Sequence, residues 1–285
     1  PLNMSVVEAA SGIYRITNAH MADLMRRGTV ERGYDPRDFA LFVTGGAAPA
    51  HCARYAAELG IKEVIIPSTS AVHGGLGLLA SDVVFEYGKA ARFLFPPDLA
   101  IVNDHWARLM ITAVKDLNKM GFREQDIVIV RSVDMRYRFQ SHELNVELAP
   151  GTKEITTHAL DSLDDAFDEL YQQSYGPGSG YREAGKEITA FRLRAVGKIR
   201  RPNIKQYERM KRSSETAVKG NREVYFEEPA SFVSTPIYDF GHMKPGMELN
   251  GPGIIESTVT TIVVNPRDTA VMDEFQNVRL LIHSS

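Results

Sequence analysis

The residues with most to offer chemically lie at 39–60, FALFVTGGAAPAHCARYAAELG. An apolar run that reads as a buried strand meets Gly45 and Gly46, which permit a sharp turn with positive φ and a close approach of a ligand to the main chain. Ala47 and Ala48 keep the rim of that turn small. Pro49 suits the first turn of a helix, and the alanine-rich run that follows carries on to Leu59 with Gly60 at its end. Amides at the head of such a helix face the space above the turn, an arrangement that suits the phosphate or ribose of a nucleotide. Glycine also serves tight strand-to-helix turns for packing alone, so both readings stay open on the pattern itself. His51 in this loop, and His73 beside GGLGLLA, lie at helix starts where an anion is favoured, with simple capping as the alternative.

The remaining chemical look-alikes point elsewhere. GYREAGK at 180–186 matches most of a P-loop, but Glu187 stands where a Ser or Thr would hold magnesium, and the segment follows a helix and precedes a strand. Asp239-Phe240-Gly241 lacks the companion motifs of a kinase and reads as a turn. The eight histidines and the single cysteine, Cys52, show no metal-ligand spacing, so no metal site is expected within the chain. Asp134, Arg136 and Arg138 alternate onto one strand face, which reads as a solvated or subunit-facing surface with exposed ion pairs. The acidic run Asp164, Asp165, Asp168 and Glu169 reads as a solvated helix face. Lys198, Arg200, Arg201, Lys205, Arg209, Lys211 and Arg212 lack the interleaved aromatics of a single-strand binder and read as a connector or subunit contact.

At 285 residues, 44% hydrophobic and 24% charged, the chain is long enough to bury a full core in two or three compact units. A net charge of -3 supplies no global drive toward nucleic acid. One cysteine rules out an internal disulfide framework and suits a reducing compartment, so the expected location is the cytoplasm. No apolar run reaches the roughly 18–20 residues that a membrane helix needs, and no signal-peptide layout opens the sequence.

The elements that would position the loop follow from periodicity. Val6, Ala10, Ile13, Ala19 and Leu24 recur at helical spacing over 5–27, with a capping box at Ser5 to Glu8. Strand 39–44, the helix after Pro49 and the apolar strand 64–67 make a parallel βαβ unit buried on both faces. A second glycine-rich segment leads through a helix to a strand around 83–87. Beyond Phe95-Pro96-Pro97, Val102, Trp106, Leu109, Ala113 and Leu117 line an amphipathic helix. Alternation then predicts half-exposed antiparallel strands at 133–139, 144–148 and 191–195, with a helix over 161–175 on Leu163, Phe167 and Leu170. Residues 198–212 read as a connector, and 221–285 as strand-rich, with turns at Lys244-Pro245-Gly246 and Asn250-Gly251-Pro252-Gly253. The expected domains are 1–95, 96–200 and 201–285.

VERGYDPRDFALFVTGGAAPAHCARYAAELGIKEVIIP, GLGLLASDVVFEYG, DMRYRFQSHELNV and GPGIIESTVTTIVVNPRD together resemble the later part of the hydantoinase A and 5-oxoprolinase family, which includes subunits of ATP-dependent acetone and acetophenone carboxylases. The resemblance implies an α/β fold: the second lobe of an actin-like (ribonuclease H-like) ATPase, followed by an α+β unit and a small β-rich C-terminal module. It implies ATP and Mg2+ as cofactors, and it makes Gly45, Gly46, Ala47, Ala48, Pro49 and His51 the cofactor-binding residues. The family's usual loop reads GGAGP followed by Leu-His; Ala48 and Ala50 stand here and narrow the space for backbone approach. Phe139 likewise stands where glycine is common.

The family's first lobe has no counterpart in these 285 residues. The resemblance therefore implies a first ATPase lobe supplied by a longer or cleaved polypeptide or by a separate subunit, within a hetero-oligomer. The expected activity is that of an ATP-dependent carbonyl-activating enzyme, with a ketone carboxylase using bicarbonate favoured. The alternatives are a hydantoinase or 5-oxoprolinase-type lactam hydrolase and a non-catalytic scaffold lobe.

Overall fold

The computed structural model describes residues 3–152, 154–210 and 212–283. Helix α1 (Val6–Gly28) leads to strand β1 (Leu41–Phe42), helix α2 (Cys52–Glu58), strand β2 (Glu63–Ile66) and helix α3 (His73–Ala80). Strand β3 (Val83–Leu94) and helix α4 (Leu99–Lys119) follow, then β4 (Ile127–Tyr137), β5 (Leu144–Glu147), α5 (Thr157–Tyr175) and β6 (Lys186–Gly197). The last part carries β7 (Val218–Phe226), β8 (Ser231–Asp239), β9 (Glu248–Asn250) and β10 (Gly253–Glu256). It ends with β11 (Thr261–Val264), β12 (Thr269–Met272) and β13 (Val278–Leu281).

Strand pairing regroups the spans 1–95, 96–200 and 201–285 into two compact units: Pro1–Leu79 with Pro202–Ser285, and Ala80–Arg201. In the first, β1 and β2 pair in parallel with α2 between them, as the βαβ reading expects. The expected burial on both faces is not complete: β2 alternates buried and half-buried residues, and β1, two residues long at the sheet edge, leaves Phe42 exposed. Two short strands cannot bury a sheet face alone. Strand β13 pairs antiparallel with β2, β12 with β13, and β9 with β12, giving the order β1-β2-β13-β12-β9. The C-terminal strands thus do not form one separate module. Three complete the N-terminal sheet, and the other four make a second sheet, β11-β10-β8-β7, in which β10 runs parallel to β8. Val64, Ile66, Ile255, Met272, Val278 and Leu280 fill the common core.

Helix α1 starts at the expected capping box: Glu8 N–H donates to Ser5 Oγ and Ser5 N–H to Glu8 Oε2. Its buried face differs from the expected stripe. Val6, Ile13 and Leu24 are exposed, and the helix packs instead through Asn18 and Ala22, with Met25 against the core. A small residue and a hydrogen-bonded amide let α1 approach α2 closely, which bulky aliphatic side chains would prevent.

The second unit is one antiparallel sheet, β3-β6-β4-β5, with α4 and α5 packed on it. The expected stripe of α4 is the packed one, with Val102, Trp106, Ala113 and Leu117 buried and Leu109 beside them. Strand β3 continues past Tyr87 to Leu94 because it pairs with β6 along that length. Charge enters this interior. Lys186 Nζ lies 2.8 Å from Asp168 Oδ1 and 2.7 Å from Asp164 Oδ1, and Tyr137 Oη donates to Asp168. Asp168 is therefore buried, contrary to the solvated-face reading of the acidic run, whose helical spacing turns this one carboxylate toward the sheet. Glu187, fully buried, accepts from Arg92 and Arg136 at 2.7 Å each.

Two predictions follow from this packing. Gly251 lies so close to the next turn that a Cβ there would stand 1.8 Å from the Asn265 carbonyl oxygen. Gly251→Ala is expected to cost about 3 kcal/mol or more, and an unchanged denaturation midpoint would disprove the contact. Burial alone would raise Asp168 and Glu187, but the hydrogen bonds from Lys186 and Tyr137, and from Arg92 and Arg136, outweigh it and hold both below their ordinary 3.8 and 4.5. A depressed carboxyl contributes stability that is complete above its unfolded pKa and lost as pH falls through the folded one. Lys186→Met, which strands Asp168 from its buried cation and leaves it only Tyr137 and the exposed Arg182, is expected to cost about 3 kcal/mol at neutral pH. That cost should shrink below about pH 4, where protonation relieves the stranded carboxylate in the variant. Urea unfolding at both pH values would contradict this by showing the same penalty at each.

Candidate functional site

The glycine turn is built on the end of β1. Val43 N–H still bonds to Ile65 O on β2, and two residues later Gly45 adopts φ +102°, a conformation that L side chains rarely take. Gly45 N–H donates to Ser70 O at 2.7 Å, which ties the turn to the loop after β2. Gly46 needs no left-handed backbone, so only the first glycine serves the positive φ. A side chain at Gly46 would nevertheless meet Val259 O at 3.4 Å.

That neighbour belongs to a second clasp. In the turn between β10 and β11, Ser257 Oγ accepts from Val259 N–H and Thr260 N–H, and Thr260 Oγ1 donates to Gly46 O at 2.7 Å. ESTVT lies more than 200 residues from the glycines, and only its Ser and Thr composition, suited to a self-bonded turn, marks it in the sequence. The amides of Gly46, Ala47 and Ala48 find no acceptor among the described residues. Three consecutive unpaired donors therefore stand along a turn fixed at both flanks, and successive free amides can take an anion or a carbonyl.

The helix behind the turn is shorter than its sequence suggests. Ala48–Ala50 forms a separate 3-10 turn with Pro49 buried, and α2 begins only at Cys52. The free amides, more than a helix dipole, are what the turn offers. Cys52 is buried and its thiol is pushed up to about 12 by burial, which removes it as a nucleophile.

The two histidines take different roles. His51 does not extend from the turn but leans on α1: its ring stacks on Tyr14 at 4.9 Å between centroids, with Nδ1 3.2 Å from Asn18 Oδ1. Burial lowers its pKa and pushes the Tyr14 phenol up to about 12. His73 is the first residue of α3, with Nδ1 2.9 Å from Thr69 Oγ1 and its ring against Phe42.

The other sequence candidates resolve as structure. Asp134 is buried and bonds to Arg192 and Asn145, Arg136 bonds to Glu187, and Arg138 lies past the end of β4 with its guanidinium over the exposed Phe139 ring. Phe139 has φ +69°, the left-handed conformation that glycine adopts at no steric cost. Lys186 of the P-loop look-alike is committed to Asp164 and Asp168. Asp239 Oδ1 accepts from Gly241 N–H, the turn that its sequence suggests. Lys198 and Arg201 pair with Asp82, and Lys211 of the cationic run lies outside the described residues. Among the described residues, no three His, Cys, Asp or Glu side chains gather as a metal site, and no helix is long and apolar enough to cross a membrane. A groove of about 750 Å³ lies between α1, α2 and β7, lined in part by Tyr14, Arg54, Phe226 and Glu227. The Glu227 carboxylate there is already satisfied, since Ser11 donates to it and Arg15 and Arg54 lie 3.4 Å from it.

Known proteins share this architecture. The β subunit of acetone carboxylase from Xanthobacter autotrophicus is 29% identical over 93% of this chain and 38% of its own length. A nucleotide-free structure of acetone carboxylase matches with a TM-score of 0.90 at 27% identity, covering 98% of this chain and 40% of that one. The ATP-dependent caprolactamase from Pseudomonas jessenii matches with a TM-score of 0.64 at 28% identity, over 99% of this chain and 41% of the other. The chain thus spans about two-fifths of the length of these relatives. The hydantoinase/oxoprolinase model matches residues 1–87 and the hydantoinase/oxoprolinase C-terminal domain model residues 98–283, and the chain belongs to this family.

Proposed function

We propose that the chain forms one wall of the ATP site of a carbonyl-activating enzyme, with a ketone carboxylase preferred. The observation that carries this is the turn at Gly46, Ala47 and Ala48, whose three amides are free while Gly45 and Gly46 O are clasped by Ser70 and Thr260. Rigid donors that need no rearrangement are what phosphate or ribose oxygens require. In this reading the first unit is the second lobe of an actin-like ATPase. The residues that touch the turn fit the nucleotide but not its metal. Ser70, Val259 and Thr260 offer no carboxylate, so the Mg2+ ligands and the charge clamps on the γ-phosphate come from a first lobe, on a longer polypeptide or a separate subunit. The outer edge of β1, with Phe42 exposed beside it, supports such a neighbour.

ATP, when bound, supplies a phosphoryl group to an unreactive oxygen, of a ketone enolate or bicarbonate, which then leaves as phosphate as the new carbon–carbon bond forms. The similarity to caprolactamase at the same level of identity keeps a second reading, in which the oxygen is that of a cyclic amide and water opens the ring. A cytoplasmic location accords with either chemistry.

ATP hydrolysis by the assembled enzyme should rise with small ketones and bicarbonate. Stimulation by lactams alone would replace the first reading with the second, and stimulation by neither would defeat both. Gly46→Asp should fold, because its backbone is not left-handed and its Cβ is at contact distance only, yet lose Mg-ADP binding in calorimetry. Unchanged binding would refute the site. Thr260→Val removes one clasp and should weaken Mg-ADP about fivefold, the equivalent of about 1 kcal/mol.

A further inference from the structure

Asn18 is 1% exposed on the inner face of α1. Its Nδ2 donates to the Tyr14 carbonyl at 2.9 Å, and a carbonyl can only accept, so the orientation of this amide is dictated by chemistry. Oδ1 consequently points the other way, 3.2 Å from His51 Nδ1. An amide oxygen has no hydrogen to give, so Nδ1 must be the donor. A neutral ring with its proton on Nδ1 carries a lone pair on Nε2. Tyr14 holds the ring plane at 23° to its own, and burial favours the neutral form. Nε2 has no partner among the described residues and is not enclosed.

We infer that Asn18 is a positioning residue that presents His51 Nε2 as a hydrogen-bond acceptor three residues after the last free amide of the turn. A nucleotide group that bonds to this atom must then be a donor, such as a ribose hydroxyl or the adenine amino group. A phosphate oxygen, which brings lone pairs and no proton at neutral pH, is refused at that atom and left to the amides. A nucleotide that reached both the turn and the ring would meet donors for its oxyanions and an acceptor for its hydroxyl or amino group. This inference rests on the nucleotide reading of the turn for its ligand, but not for the state of the ring.

The test uses the assembled full-length enzyme labelled with 15N-histidine, with His51→Gln to identify the signals. Solid-state 15N spectra should show a pyrrole-type Nδ1 and a pyridine-type Nε2 for His51, and the reverse pattern would overturn the inference. Asn18→Leu should release the ring to the opposite tautomer, whereas Asn18→Asp, which keeps an acceptor, should retain the original one. A role limited to stability would move neither signature. Calorimetry with Mg-ADP, its 2′-deoxy and 3′-deoxy forms and Mg-IDP separates the donors. One analogue should bind about tenfold more weakly than ADP to the native enzyme and show no such deficit with Asn18→Leu. Equal affinities for all four would overturn the ligand assignment. Failure of any nucleotide to bind, with the 15N pattern intact, would remove the nucleotide reading while leaving the tautomer standing.

Discussion

The antiparallel pairing of β13 with β2 is the constraint on which the candidate site depends. It sets Val278 opposite Ile66 and Leu281 opposite Glu63, and Arg279 bonds to Glu63 across the same pair. Without it, β1 and β2 would be a two-stranded parallel ribbon, a structure with too little buried area to persist in water. With it, β12 and β9 extend the sheet, β2 becomes an inner strand and the chain end of β1 acquires a fixed position. The hairpin of β10 and β11 is carried by the same unit, so Thr260 can reach Gly46. The turn is therefore rigid through contacts between residues more than 200 positions apart, which cost loop-closure entropy but confine the free amides to one geometry.

The second unit spends its polar residues differently. Its sheet buries Phe191, Leu193 and Ala195 against the helices, as alternation requires, yet it also buries Asp168, Lys186 and Glu187. Such groups tolerate desolvation only with partners of opposite charge: Lys186 and Arg182 pair with Asp168, to which Tyr137 also donates, and two arginines serve Glu187. Removing one member leaves an uncompensated charge, which makes the network costly to break whatever its net contribution to stability. Charge in this unit is committed to ion pairs, and the unpaired main-chain amides of the proposed site lie in the other.

Helix α1 joins packing to that chemistry. Its inner face carries Tyr14, Asn18 and Ala22 where an ordinary amphipathic helix would carry leucines, and each has a use: a stacking surface, a fixed acceptor and a close approach. The apolar residues at Val6, Ile13 and Leu24 point the other way and are exposed. Hydrophobic period alone selects the stripe with the largest side chains and assigns it to the core. In α1 the polar amide is the buried residue, because its hydrogen bonds to Tyr14 O and His51 replace those it loses to water.

Much of this was legible in the residues. Gly45 required a left-handed turn and Pro49 sat in the first turn after it. The stripe of α4, the alternation of β5 and of 191–195 in β6 and the capping box of α1 each follow from local stereochemistry, whereas β4 departs from alternation because Asp134 is buried. The motifs of residues 31–88 carried the family. Tertiary structure decided what depends on distant partners: that β9, β12 and β13 belong to the N-terminal sheet, that Asp168 faces inward, that Thr260 closes the turn and that Asn18 sets the tautomer of His51. Strand partners and buried polar contacts are selected by whatever surface the rest of the chain brings within hydrogen-bond reach, and no local period of a single segment encodes that distance.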